Sequence, residues 1–136
     1  METFLNILEV LGTSPKEFFD TKYVTKVHYP KNEQLTYDED EKGYFLQWPV
    51  KRSNEFDMEP LLLTLQPYAS YKDFQPSVSD TFVYCLEGKV TLTLGDHQYT
   101  AEQGDALYFK AHATHRLSNA GHVCAKLMIV ATSSYL

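Results

Sequence analysis

The chain has 136 residues, 43 % apolar and 22 % charged, with a formal net charge of −6. That length supports one domain with a buried core. The acidic surface carries no Lys/Arg stripe, which argues against direct binding to nucleic acid or to an anionic membrane. No run reaches the ~18 apolar residues of a membrane span, and the acidic start METFLNILEV lacks the basic segment of a secretory signal, so a cytoplasmic protein without a membrane partner is expected.

Residues 2–11 place Phe4, Leu5, Leu8 and Leu11 on one helical face, and Gly12 suits a helix stop. A second helix is predicted to start at Ser14, with Pro15 at its first position and Glu17 completing a capping box. The first 20 residues therefore read as a short helical hairpin. It cannot bury both apolar faces alone. Residues 31–43, KNEQLTYDEDEKG, are polar and acidic and read as a loop or an edge hairpin.

From Tyr44 the pattern changes to strands. YFLQW stops at Pro49, PLLLTLQP is bounded by prolines, and TFVYCLEG stops at Gly88. KVTLTLGDHQYT reads as two strands around a Gly-Asp turn, with Val90, Leu92 and Leu94 alternating against Thr91 and Thr93. ALYFKA, THRLSN and HVCAKLMIVAT follow. Seven or eight short strands at regular spacing predict an all-β sandwich or jelly-roll barrel. The ten Tyr and eight Phe suit a ligand cavity, a plain β-core or a dimer interface equally. Cys85 and Cys124 both lie in apolar runs and read as buried free thiols.

Among the five histidines, His112 and His115 are close neighbours; His28, His97 and His122 have no companions at ligand spacing. Histidine is the commonest metal ligand, so a metal site would need further ligands elsewhere. A nucleophile–base pair of Cys85 and His115 lacks a third, orienting group, and no hydrolase, nucleotide-binding or zinc-protease motif is present.

Residues 80–119 resemble the core of the cupin family, a double-stranded β-helix or jelly-roll barrel. In that family one motif carries two histidines, a glutamate and a closing glycine, and a second carries another histidine. Together they usually hold a divalent metal. Gly104, His115 and Asn119 match the second motif, with Lys110 and His112 replacing its proline and second glycine. In the first motif Gly88 is the closing glycine, Thr81 falls at the glutamate, and the histidine positions fall on Gln75 and Ser77 or on Phe74 and Pro76. Asp80 is one residue out of register, and a one-residue shift on a strand points a ligand out of the barrel unless a bulge re-aims it. One histidine of four ligands survives, so no metal site and no other cofactor are expected. What the resemblance implies instead is a barrel lined in part by Gln75, Ser77, Thr81, Val83, Cys85 and His115. Such a barrel is either a small-molecule pocket or a filled core.

FLNILEVLGTSPKEFFD resembles the end of the helix-turn-helix domain of Cro/C1-type (Xre family) regulators, matching through Leu5, Leu8, Leu11, Gly12, Ser14, Phe18 and Phe19. Glu9 and Thr13 depart from the pattern. Such regulators commonly carry a cupin barrel directly afterwards. The resemblance implies residues 1–20 as the remnant of the DNA-binding domain and 21–136 as a cupin sensor domain. It implies no catalytic residues, a small-molecule effector, a homodimer, and DNA contact only through a domain largely absent from this chain. The alternatives are a stand-alone small cupin enzyme of isomerase or dioxygenase type, or a purely structural dimerisation module.

Overall fold

The computed structural model describes residues 26–50, 56–133 and 135–136. It divides the chain into two units, Met1–Pro30 and Lys31–Leu136. Of the first unit, residues 26–30 are described and have no regular secondary structure; the Lys26 ammonium lies 5.1 Å from the Tyr29 ring centroid. The predicted helices over residues 2–11 and 14–19 lie outside the described residues.

The second unit is built of strands β1 (Leu35–Glu39), β2 (Tyr44–Trp48), β3 (Met58–Leu65), β4 (Asp80–Glu87), β5 (Lys89–Leu94), β6 (His97–Glu102), β7 (Ala106–Lys110), β8 (His115–Ser118) and β9 (Ala125–Thr132). Six form one antiparallel sheet in the order β1-β2-β3-β9-β4-β7, and three form a second in the order β6-β5-β8. Every strand predicted from Tyr44 onward is present. The acidic stretch 31–43 resolves into a 3-10 turn, β1 and a second 3-10 turn, so it is the edge hairpin. The chain is thus mainly β, as expected for a jelly-roll barrel.

Side-chain alternation sets the inside of the barrel. Odd residues of β3 and β9, Thr81, Val83 and Cys85 of β4, and Val90 and Leu92 of β5 are buried, bringing Leu61, Leu63, Val83, Val90, Leu92, Leu127 and Ile129 into one core. Two glycines of the motifs have backbone reasons. Gly88, between β4 and β5, takes φ +78°, and a Cβ there would sit 2.6 Å from the Cys124 carbonyl oxygen. Gly104, between β6 and β7, takes φ +90°. Both values suit glycine far better than any L side chain.

Asn119 explains the asparagine of the second motif. Its buried amide donates to the carbonyls of Leu65, Gln66 and Val123 and accepts from the Gly121 N–H, tying the end of β3 to the loop between β8 and β9. One expectation is corrected. Cys85 is buried and free, but Cys124 is exposed and free. Strand β9 begins one residue later, at Ala125, so the apolar run HVCA starts in a loop rather than in the sheet.

Candidate functional site

The segment before β4 runs beside β8. Ser70 bridges Ser118 and Phe74 bridges His115, with N to O distances of 2.8 and 3.1 Å in the second pair. This carries Phe74 into the interior, where its ring stacks on the His115 imidazole at 4.9 Å between centroids. Phe109 from β7 meets the same imidazole edge-on at 5.2 Å, and Tyr135, which follows β9, meets it at 5.6 Å. His115 is 4 % exposed.

The polar atoms of this aromatic cluster form a chain. His115 Nδ1 lies 3.2 Å from the Ala113 carbonyl, which can only accept, so Nδ1 carries the proton. Nε2, 3.2 Å from the Tyr135 hydroxyl, is then the acceptor. The Tyr135 oxygen in turn accepts from the Thr81 hydroxyl. Burial holds the His115 pKa below the ordinary histidine value and raises that of Tyr135, so both groups are neutral near pH 7.

Thr81, Val83, Cys85 and His115 point into the barrel as expected, and all four are buried. Gln75 is exposed and Ser77 only half-buried. Residues 75–79 are irregular and contain Pro76, so strand parity does not carry back from Thr81, and Phe74 takes the inward place. The Ser77 hydroxyl accepts from the Ser79 N–H instead of facing the interior. Asp80 faces outward, bonded to the Tyr108 hydroxyl and 3.0 Å from the Lys110 ammonium. These two partners hold its carboxyl below the usual value. The bulge of β4 lies at Cys85–Glu87, too far along the strand to re-aim Asp80.

Of the positions that would carry a cupin metal, Thr81 and His115 face the interior, where they meet the Tyr135 hydroxyl and the Phe74 and Phe109 rings. That donor set does not fit a divalent metal, which takes several imidazoles and carboxylates. Among the described residues no group of three or more His, Cys, Asp or Glu could hold a metal ion.

Two cavities adjoin the cluster. A polar groove of about 340 Å³ is lined by Asp73, Gln75, Thr93, Gly95, Thr114, His115 and Arg116. An apolar cavity of about 390 Å³ lies between β5, β6 and β7, lined by Leu92, Leu94, Tyr99, Leu107 and Phe109, with Tyr108, Lys110 and His112 also bordering it. Phe109 is shared between this cavity and the His115 cluster. Thr81, Val83 and Cys85 line neither. Sequence reasoning named Phe74 only as an alternative motif position and missed Phe109 and Tyr135. Tyr135 follows the last predicted strand, where no periodicity marks an inward direction.

Residues 61–131 match the family model described as "Cupin domain". Among solved structures, the cupin domain of an XRE-family transcriptional regulator from Enterobacter cloacae matches with TM-score 0.61 and 10 % identity, over 68 % of this chain and 99 % of that one. An HTH_3-family transcriptional regulator from Vibrio cholerae matches with TM-score 0.63 and 15 % identity, over 98 % of this chain and 71 % of that one. KdgF from a Halomonas species matches with TM-score 0.65 and 14 % identity, over 81 % and 96 %. At these identities the likeness is one of fold. No protein of curated function matches the sequence.

Proposed function

The chain belongs to the cupin domain family, and we propose that it is the ligand-sensing and dimerising part of a helix-turn-helix transcriptional regulator. In this reading residues 1–20 are the end of the DNA-binding domain and residues 21–136 are the sensor. The observation that carries the sensor reading is the apolar cavity of about 390 Å³ backed by Phe109 and the His115 cluster. Its volume and mixed lining have the character of a small-molecule site. The likeness to the Vibrio cholerae regulator, over 98 % of this chain, supports the regulatory context.

A neutral or weakly polar effector enters between β6 and β7 and rests on Leu92, Leu94 and Phe109, with Lys110 and His112 at the cavity border. It changes the relation of two DNA-binding domains held by a homodimer, and so the affinity for a two-fold operator. The chain itself is not an enzyme in this reading. It works in the cytoplasm and touches DNA only through the preceding domain. No helix among the described residues is long and apolar enough to cross a membrane.

A metabolite-library thermal-shift screen tests the sensor reading, because a ligand that binds the native state raises its stability. At least one small organic compound is expected to raise the melting temperature and to shift the His112 and Tyr99 resonances. If no compound does both, the barrel is a filled structural module. The fold likeness to KdgF favours a second reading, a small cupin enzyme. That reading needs a bound metal or an acid/base pair, and is separated from the first by metal content.

A further inference from the structure

We propose that the end of the barrel around His115 and Thr81 is a phenol-binding site, which the chain fills with its own Tyr135 and a phenolic effector enters by displacing it. The inference rests on the reading of the barrel as a ligand-binding domain, and adds a second place for a ligand, beside the apolar cavity rather than in it. The Tyr135 ring stands edge-on to Phe74 at 5.2 Å and to His115 at 5.6 Å, so a flat aromatic body already has its walls. Its hydroxyl accepts from Thr81 Oγ1 and donates to His115 Nε2. A phenol supplies both roles with one oxygen. Toluene supplies neither, and leaves a buried imidazole nitrogen without its donor. A phenolate would lack the proton that Nε2 accepts, so the neutral phenol is the matching form.

Tyr135 is held by its hydroxyl bonds and ring contacts, and both it and Leu136 pack against the core. The segment belongs to no strand. The Leu136 N–H donates to Glu59 Oε1 at 3.0 Å, and the Lys72 ammonium donates to the Leu136 main-chain oxygen at 2.9 Å. Tyr135 and Leu136 are half-buried. Because Tyr135 lies outside every strand, turning its side chain out is a local opening that leaves both sheets intact.

The test compares p-cresol with toluene on the wild-type chain and on Tyr135→Ala, by melting temperature and calorimetry. The expected result is p-cresol binding to Tyr135→Ala at least tenfold tighter than to wild type, and about tenfold tighter than toluene, as one hydrogen-bonded hydroxyl implies. Adding Thr81→Val to Tyr135→Ala is expected to reduce that preference. Equal binding of p-cresol to both chains, equal binding of toluene, or no binding to Tyr135→Ala overturns the inference. If Tyr135→Ala does not fold, amide exchange in the wild type decides: p-cresol accelerates exchange of the Leu136 N–H if the segment is displaced, and leaves it unchanged if the inference is wrong. Failure here leaves the wider reading to the response of His112 and Tyr99 in the metabolite screen.

Discussion

Among the described residues His115 is the one buried imidazole, and its environment determines what it can do. Two phenyl rings and a tyrosine surround it, its Nδ1 proton is committed to the Ala113 carbonyl, and its Nε2 faces the Tyr135 hydroxyl. A charged ring there loses hydration and gains no carboxylate, so burial lowers its pKa. In the unfolded chain the ring takes up a proton near the ordinary value of about 6.5. The unfolded state therefore binds more protons as the pH falls below that value. The stability due to neutral His115 is fully present above it, and is lost as the pH falls towards the lowered folded pKa. The urea midpoint is expected to fall between pH 7 and pH 5, and His115→Phe is expected to flatten that fall. An unchanged slope in His115→Phe would mean that the ring is already accessible to protonation in the folded barrel.

At the scale of the elements, the connection between β4 and β5 is the tightest point. A side chain at Gly88 meets the Cys124 carbonyl in a left-handed conformation. Gly88→Ala is expected to cost about 2 kcal/mol or more in urea unfolding, from strain of the order found for forced backbone conformations. A cost near zero would show that the β4–β5 connection shifts freely. The strands themselves are legible in the sequence because KVTLTL alternates strictly and TFVYCLE and AKLMIVAT are short apolar runs bounded by turn residues. Asp80 is legible for the same reason: on a continuous strand one residue decides the face, and it does face out. Gln75 is not, because parity holds only along a strand, and residues 75–79 interrupt it. Tyr135 is not either, since a side chain that folds back from beyond a strand leaves no periodic trace. Cys124 departs from expectation for a related reason, an apolar run whose first two residues, Val123 and Cys124, lie outside the sheet.

For the whole molecule, a mainly β barrel of the cupin family keeps two motif glycines, Gly88 and Gly104, and the asparagine Asn119 for backbone reasons. Gly88 and Gly104 make the turns, and Asn119 clamps the loop after β8. The metal positions hold Phe74, Thr81 and His115 instead, closed by Tyr135. The barrel architecture is thus retained while its interior offers hydroxyls, one neutral imidazole and aromatic walls. That chemistry suits an organic ligand, and it underlies the proposal of a sensor rather than a metalloenzyme. Elemental analysis of tag-free protein for Zn, Fe, Mn, Ni and Cu after mild dialysis tests this claim most directly. The account predicts metal far below one equivalent per chain. Near-stoichiometric metal would contradict it: other groups would then have to join His115, and the enzyme reading would take its place.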